Sequence, residues 1–330
     1  MEDAIKKFRH FLVKAIKFVV REITCRLTAI LTILRPSYNY YRYIYIKKIL
    51  SSAPIVCKKD CALEIHILIC EKDVYNFLWA IKTFYHYSRI DFNLILHEDG
   101  TLSHNSQDLI LEHIRDCRII KRADADKQLK TFLKDYPLSF KYRFDRLNPF
   151  NHLALKMFDF FFYSNSEYFL NLDSDVLCFK KPDDILGYIK DKRAFSSSDH
   201  RYAYSLPVDD LKRLFKLDMQ TNINIGVFYF DKKAWDVEMI ESFLAEAFRN
   251  NKQFRHFWVD QTSYALLIAR HNKPFVRLNE NYQISKQKIT AQTISHHFVS
   301  PVRKNFYLKG LRYLRKINFL EEFNRTQQHT

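Results

Sequence analysis

Glycine is scarce in this chain, with only four in 330 residues. This scarcity excludes sites that depend on a glycine-rich phosphate-binding loop. The segment ICEKDVYNF, which spans the end of the first predicted strand and the start of a helix, contains no glycine at all. A nucleotide bound by this protein must therefore be held in another way.

Long uncharged apolar runs are also missing from the N-terminal segment. The longest, LTAILTIL, has 8 residues, whereas a membrane-spanning helix needs roughly 20. No small-residue cleavage site follows an apolar core, which argues against a signal peptide. Apolar residues nevertheless recur at steps of three and four over residues 8–34, opposite several lysines. This spacing predicts an amphipathic helix, lying in a membrane interface or packed on its own domain.

The six cysteines form no CxxC pair and no regular framework. Several lie inside apolar runs, which is typical of reduced, buried thiols. The pattern therefore predicts a cytoplasmic protein.

The net charge of +16 is concentrated at the two ends. Residues 1–60 contain 13 Lys and Arg against 4 Asp and Glu, and residues 301–330 contain 7 against 2. The 240 residues between them carry only two of the excess positive charges. Since a nucleic-acid binder more often spreads a basic face over its folded domain, we expect an anionic membrane surface as partner rather than nucleic acid. We divide the chain into a basic extension (1–55), a body (56–310) and a basic tail (311–330).

From residue 62 onwards, predicted strands alternate with predicted helices. The strands include ALEIHILIC, DFNLILHE, CRIIK, YFLNL, INIGVFYF and QTISHHFVS, and the helices VYNFLWAIKTFYHY, SQDLILEHIRD, LALKMFDFFFY and AWDVEMIESFLAEAF. This alternation predicts an α/β fold with a mixed, mainly parallel sheet flanked by helices, preceded by the N-terminal amphipathic extension. Ligands of such sheets bind beyond the carboxyl ends of the strands.

An acidic pair, Asp173 and Asp175, follows one of these strands in YFLNLDSDVLCF. Alternation along an extended backbone points both carboxylates the same way. Burying them requires a positive partner, and a divalent cation that also binds substrate phosphates would supply it. Asp124 and Asp126 have the same spacing, but they lie in a polar stretch that predicts a loop, a surface or a helix start.

The order of several motifs resembles a GT-A fold glycosyltransferase, nearest to the family-8 type that uses UDP-sugars. The resemblance extends over roughly residues 62–310. Its motifs are LEIHILICEKD, a basic residue at Lys156, NLDSDVL, NIGV at residues 224–227, Asp260-Gln261, and a late His-Phe at His297-Phe298.

The resemblance implies that Asp173 and Asp175 bind Mn²⁺ or Mg²⁺ and that His297 is the third protein ligand. Two carboxylates and an imidazole suit Mn²⁺ better than Ca²⁺. Because His296 and His297 are adjacent on a predicted strand, only one of them can face the metal. The family pattern favours His297.

The resemblance also implies contacts with the sugar donor. Lys156, where the family more often has arginine, would neutralise phosphate or contact the sugar, and it could equally be an exposed helix lysine. Asn224 and Gly226 would line the donor sugar, although Gly226 could simply be a turn or bulge glycine. Asp260 would act as a base or stabilise a cationic transition state, or else cap the following helix, and Gln261 would hydrogen-bond the sugar.

One motif departs from the family pattern. The family has Gly and Lys a few residues after the histidine, whereas this chain reads HHFVSPVRKNFYLKG. Arg303 or Lys304 would then take the place of that lysine on the diphosphate. The corresponding contact with the leaving group is therefore assigned to Arg303 as an expectation.

Together these motifs predict metal-dependent transfer of a hexose from a UDP-sugar to a glycan or lipid-linked acceptor, at the cytosolic face of a membrane. Two alternatives remain: a non-catalytic membrane-associated scaffold with the same fold, and a sugar-nucleotide nucleotidylyltransferase. A nucleotidylyltransferase would normally need a glycine-rich loop after the first strand. The acidic pair argues against the non-catalytic scaffold.

Overall fold

The computed structural model describes residues 31–32, 34–145, 147–148, 151–199, 202–220, 222–249, 255–284, 288–299 and 302–328. Most of the N-terminal helix predicted for residues 8–34 lies outside the described residues. No helix in these ranges is long and apolar enough to cross a membrane.

Twelve strands lie within these ranges. They are β1 (Ile55–Val56), β2 (Glu64–Ile69), β3 (Asn93–Glu98), β4 (Ile114–Arg115), β5 (Arg118–Ile120), β6 (Tyr168–Leu172), β7 (Val176–Cys178), β8 (Ala194–Ser198), β9 (Ile223–Asp231), β10 (Phe275–Arg277), β11 (Tyr282–Ile284) and β12 (Ser295–His297).

The α-helices of the described residues are α1 (Pro36–Asn39), α2 (Val74–Ser88), α3 (His104–His113), α4 (Arg122–Phe132), α5 (Pro137–Phe144), α6 (Leu153–Tyr163), α7 (Asp183–Lys190), α8 (Val208–Phe215), α9 (Val237–Arg249), α10 (Val259–His271), α11 (Arg312–Lys316) and α12 (Phe319–Gln327). Two π-helical segments, Tyr40–Ile44 and Phe306–Leu311, adjoin α1 and α11. Short 3₁₀ helices occur at Tyr45–Ser51, Glu71–Asp73, Lys232–Ala234 and His256–Trp258.

The central sheet has seven strands in the order β10-β8-β9-β6-β2-β3-β5. Only β9 runs antiparallel to its neighbours, β6 and β8, and the other neighbouring pairs are parallel. The predicted mixed, mainly parallel sheet flanked by helices is therefore confirmed.

The direction of the chain across this sheet reverses beside β2. From β2 it proceeds through β3 to β5, and it then returns to the other side of β2 as β6. A crevice forms where parallel strands diverge in this way, and ligands of open α/β sheets bind there, beyond the carboxyl ends of the strands. The acidic pair follows β6 directly, so the topology places it at this crevice.

A three-stranded sheet, in the order β11-β12-β7, joins the end of the chain to the acidic pair. Strand β12 lies antiparallel to β7, with His297 opposite Val176. The backbone N–H of Phe298 donates to the carbonyl of Asp175 at 3.0 Å. This pairing brings a residue from near the end of the body next to the acidic motif.

Both ends of the described chain pack against helix α2. Trp79 of α2 is fully buried, stacks on Tyr45 with ring centroids 5.8 Å apart, and contacts Phe319 of α12. Its indole N–H donates to the carbonyl of Ile46. Residues 36–51 and the C-terminal helices thus share one apolar layer with the sheet.

Five of the six cysteines lie in the described part of the chain, and all five are free thiols. Burial raises the pKa of the Cys178 thiol to about 12. A thiol with so high a pKa is poorly reactive.

Candidate functional site

Asp173 and Asp175 lie in the tight turn between β6 and β7. The N–H of Asp173 donates to the carbonyl of Gly226 at 2.8 Å, which ties the turn to β9. The side chain of Asp173 is 18% exposed, and that of Asp175 is 5% exposed. One carboxylate thus faces the crevice while its neighbour lies deeper.

His297 completes a possible metal-binding cluster with the two aspartates. Its Nε2 lies 3.2 Å from Asp175 Oδ1 and 3.5 Å from Asp173 Oδ2, and the three candidate ligand atoms lie within 4.8 Å of one another. His296 instead stacks on Phe298, with ring centroids 4.2 Å apart. His297 is therefore the histidine that faces the carboxylates.

Asn224 of β9 orients the His297 ring. Its Oδ1 lies 3.0 Å from His297 Nδ1 and also accepts the N–H of Gly226 at 2.9 Å. An amide oxygen at Nδ1 favours the tautomer protonated there, which leaves Nε2 able to bind a metal. Asn224 is thus placed to hold a metal-binding histidine in its correct tautomer.

Gly226 makes room for this histidine. A Cβ at position 226 would lie 2.2 Å from His297 Nδ1, a distance that no side chain can adopt without a rearrangement. The need for glycine here comes from the imidazole, whether or not a sugar also approaches.

Two basic side chains contact the carboxylates. Lys156, on α6, is 2.6 Å from Asp173 Oδ1, and its backbone carbonyl accepts the hydroxyl of Tyr264 at 2.7 Å. Arg303 donates from Nη2 to Asp175 Oδ2 at 2.8 Å. Lys156 is buried rather than an exposed helix lysine, and both cations belong to the site.

Arg303 is anchored by a residue that the sequence did not single out. Its Nη1 lies 2.6 and 2.7 Å from the two carboxylate oxygens of Asp73, which follows β2. Arg303 thus bridges Asp73, on one side of the crevice, to Asp175, on the other. Lys304 instead contacts Thr32 at 3.4 Å.

These charges shift the pKa values of the buried groups. Burial opposes ionisation of Asp175, but His297 and Arg303 outweigh it, so the pKa of Asp175 lies well below its usual range. Burial would lower the pKa of Lys156, but Asp173 and Asp260 raise it above its ordinary value. The site is therefore a cluster of buried carboxylates and cations that hold one another in their charged forms.

Asp260 and Gln261 lie in the first turn of α10. Burial raises the pKa of Asp260 to about 6, against the opposing charge of Lys156. The N–H of Gln261 donates to Asp260 Oδ1 at 2.8 Å, but the N-cap of this helix is Trp258, so the alternative in which Asp260 caps the helix is wrong. Gln261 Oε1 lies 3.4 Å from Asn224 Nδ2, which links this pair to the histidine support.

A further acidic residue, Asp199, lies at the end of β8. Its Oδ2 accepts from Asn224 Nδ2 at 3.2 Å. The motif pattern gave no signal for Asp199, because it follows the serine-rich strand AFSSS without a partner nearby in sequence. Asp73 lies in the motif LEIHILICEKD, but its role depends on Arg303, which is 230 positions away.

The second Asp-x-Asp segment lies elsewhere. Asp124 is in the first turn of α4, as a helix start would place it. Asp126, however, pairs with Arg122 and Arg143 at 2.8 and 2.9 Å, so it is an ion-paired structural residue and not part of a solvated surface.

The donor set of the cluster fits a divalent cation. Two carboxylates and a neutral imidazole are ligands that Mn²⁺ and Mg²⁺ accept, with the imidazole favouring Mn²⁺. Asn224 supplies the outer hydrogen bond that metal-binding histidines usually have. Asp173, Asp175 and His297 can therefore hold such an ion together.

Comparison with known proteins gives fold-level likenesses. No protein-family model matches the sequence, and no curated protein matches it. Similar solved structures include mouse xyloside xylosyltransferase 1 in its apo form, with 10% identity over 76% of this chain and 99% of that chain and a TM-score of 0.49. The galactosyltransferase LgtC with donor and acceptor sugar analogues has 14% identity over 72% and 87% of the two chains and a TM-score of 0.47. Core-mannan synthase A from Aspergillus fumigatus, in a Mn/GDP form, has 9% identity over 63% and 70% and a TM-score of 0.45.

Proposed function

We propose that this protein is a metal-dependent glycosyltransferase that moves a hexose from a UDP-sugar to a glycan or lipid-linked acceptor. The observation that carries the proposal is the cluster of Asp173, Asp175 and His297, with Lys156 and Arg303 in contact with its carboxylates. It lies where the order of the parallel strands reverses. Such a place and such a charge pattern suit a nucleotide diphosphate.

Departure of a nucleoside diphosphate from a sugar develops negative charge on the phosphate oxygens. A bound Mn²⁺ or Mg²⁺ ion would neutralise part of that charge. Lys156 and Arg303 are held within the same crevice by their carboxylate partners. Groups fixed in advance stabilise developing charge at little reorganisation cost, so we assign both to the leaving diphosphate.

The acidic residue for the sugar end of the donor is Asp260. Its pKa, raised to about 6 by burial, leaves it mostly ionised near neutral pH and able to accept a proton or to face positive charge on the sugar ring. Gln261 is hydrogen-bonded to the carbonyl of Ala203 at 2.7 Å and is fixed beside Asn224. We assign these two residues to the donor sugar and to the reacting carbon.

The location of the reaction is a separate part of the proposal. The excess positive charge at the two ends of the chain suits an anionic cytosolic membrane face. A peripheral enzyme there would reach a lipid-linked or envelope glycan acceptor. Deleting residues 1–30 from the full chain and measuring flotation with anionic vesicles tests the contribution of the first 30 residues of the extension.

Calorimetry tests the donor site directly. UDP and a panel of UDP-hexoses are titrated into the wild type, with and without Mn²⁺, and into Asp175→Asn. Asp124→Asn is the matched control, because it removes one carboxylate from the other Asp-x-Asp segment. We expect metal-dependent binding by the wild type and the control, and loss of that binding in Asp175→Asn.

Absence of binding by the wild type with metal present would refute the UDP-sugar assignment. Binding of the donor with neither sugar transfer to any acceptor nor hydrolysis of the UDP-sugar would instead support the scaffold alternative. The titrations therefore detect a wrong ligand, and an assay of transfer and hydrolysis with the same UDP-hexoses detects a missing reaction.

A further inference from the structure

A groove lies where the two ends of the described chain meet, far along the sequence from the acidic motif. Its volume is about 740 Å³, and both Tyr41, from the N-terminal side of the body, and Tyr313, from the C-terminal side, line it. The π-helical segment Tyr40–Ile44 packs against the π-helical segment Phe306–Leu311. The groove therefore joins residues that are more than 250 positions apart in the sequence, such as Tyr41 and Tyr313.

The groove is strongly basic. None of the residues that line it has a carboxylate, and five are cationic: Lys288, Lys309, Arg312, Arg315 and Lys316. Like charges gathered on one surface repel one another and are retained where an anionic partner compensates them. The concentration of charge therefore indicates a negatively charged ligand.

Tyrosine rings interleave with these cations. The Arg315 guanidinium lies 5.3 Å from the ring centroid of Tyr40 and 5.8 Å from that of Tyr45. Arg42 in turn lies 5.3 Å from the ring of Tyr43. Alternating tyrosine and arginine is typical of surfaces that lie at a membrane–water interface.

Exposed apolar side chains also occur in residues 31–32 and 34–44, the chain segment that contains Tyr41 and that we call the N-terminal wall. Leu31, Leu34, Tyr43 and Ile44 are between 55% and 69% exposed, and they precede or flank Tyr41 in the chain. Exposed apolar residues beside cations mark a surface that inserts shallowly among lipid headgroups. A polynucleotide would compensate the charge but would not bury these aliphatic side chains.

We propose that this groove and its N-terminal wall are a membrane-docking surface that binds the phosphate groups of anionic phospholipids. The cations of the groove contact the headgroups, and Leu34 and Ile44 enter the boundary with the acyl chains. The surface is formed by residues that the structure describes, so it acts in addition to residues 1–30. It deepens the membrane-location part of the proposed function and does not depend on the sugar transfer.

Co-sedimentation of the full-length protein with vesicles tests this surface. The vesicles contain phosphatidylcholine alone or phosphatidylcholine mixed with phosphatidylglycerol. The groove variant is Lys288→Gln/Arg312→Gln/Lys316→Gln, whose three side chains are all exposed. The control variant, Lys127→Gln/Lys134→Gln/Lys190→Gln, changes the net charge equally at exposed positions elsewhere.

We expect the wild type and the control to bind the anionic vesicles alike, and the groove variant to bind at least about tenfold more weakly. Equal binding by the groove and control variants would overturn the proposal. So would a groove variant that retains vesicle binding but loses binding to duplex nucleic acid, because the groove would then be a polynucleotide site.

A second pair of variants tests the apolar wall. Leu34→Ser/Ile44→Ser removes two exposed aliphatic side chains, and Leu147→Ser removes one that is 95% exposed elsewhere. We expect Leu34→Ser/Ile44→Ser to weaken vesicle binding several-fold, and Leu147→Ser to have no effect. The weakening should persist at high salt, which screens the electrostatic part of the binding. Identical behaviour of the two variants would show that the wall does not enter the bilayer.

Discussion

Arg303 and Asp175, which are 128 positions apart in the sequence, form an ion pair of 2.8 Å at the candidate metal site. The same guanidinium holds Asp73 through both carboxylate oxygens. The Arg303 guanidinium thus contacts two carboxylates of the candidate site at once. It compensates Asp175 within the protein, and under the proposed function it would also contact the diphosphate of the donor.

This geometry predicts a divided effect of Arg303→Gln. The substitution removes a positive group that competes with a metal ion for Asp175, so we expect Mn²⁺ affinity without nucleotide to stay the same or to increase. UDP affinity with saturating Mn²⁺ should fall about tenfold or more, because a charge-assisted contact is lost. Calorimetry measures both affinities.

The control for Arg303→Gln is Arg249→Gln, which removes an exposed arginine that pairs with Glu246 on α9. It should change neither affinity. A parallel loss of metal and UDP binding in Arg303→Gln would contradict the assigned role and indicate that Arg303 only maintains the fold.

Gly226→Ala tests the packing of His297. A Cβ there would lie 2.2 Å from His297 Nδ1, so we expect the ring to move, metal affinity to fall, and stability to decrease by about 1–3 kcal/mol. Thermal unfolding with and without Mn²⁺ measures both effects.

Gly187→Ala is the matched control for Gly226→Ala. Gly187 lies inside α7 with nothing within 4 Å of the added Cβ, so alanine should stabilise the protein slightly or leave it unchanged. If both variants unfolded at the wild-type temperature and bound Mn²⁺ equally, the close contact at Gly226 would have no energetic significance.

The sequence predicted the elements whose side chains repeat with a clear period. Helix α6 spans the predicted residues 153–163, and β6 spans YFLNL. Boundaries set by tertiary contacts were less accurate. The helix predicted for residues 106–116 ends at His113 because Ile114 pairs with Ile55 in a parallel ladder.

The late strand was also predicted too long. QTISHHFVS spans residues 292–300, whereas only Ser295–His297 pair with β7. Upstream of it, the N–H of Thr290 donates to the Thr293 hydroxyl and forms a local turn, so the chain is not yet extended there. A period of two cannot reveal where such a turn begins.

Site residues that depend on distant partners could be only partly predicted. The order of motifs pointed to His297 and Arg303, but not to Asp73 and Asp199, whose contacts join residues far apart in sequence. The buried network around Arg143 gave no signal either. Arg143 donates to both carboxylate oxygens of Asp159 at 2.7 and 2.8 Å. Asp159 lies on α6, one turn after Lys156.

This buried ion pair predicts strong coupling between Arg143 and Asp159. Arg143→Met leaves a buried carboxylate without its bidentate partner, and we expect it to destabilise the protein by about 3–5 kcal/mol. The double variant Arg143→Met/Asp159→Leu removes both charges and should recover most of that loss. Denaturant unfolding of Arg143→Met, Asp159→Leu and the double variant gives the coupling free energy. Additive losses would contradict the pairing.

The raised pKa of Asp260 predicts that one part of the stability depends on pH. Its folded-state pKa of about 6 exceeds the ordinary value of 3.8, so the folded protein binds this proton more tightly than the unfolded chain. The Asp260 contribution is therefore complete below about pH 4, and about 3 kcal/mol of it is lost as the pH rises to about 6.

Asp260→Asn cannot ionise and lacks this loss. Unfolding free energies measured with a chelator from pH 4 to 7 should show the variant gaining on the wild type across that window, whereas Asp124→Asn should follow the wild type. A constant difference between Asp260→Asn and the wild type over the whole range would show that Asp260 ionises normally, and it would then be an exposed cap rather than a buried acid of the site.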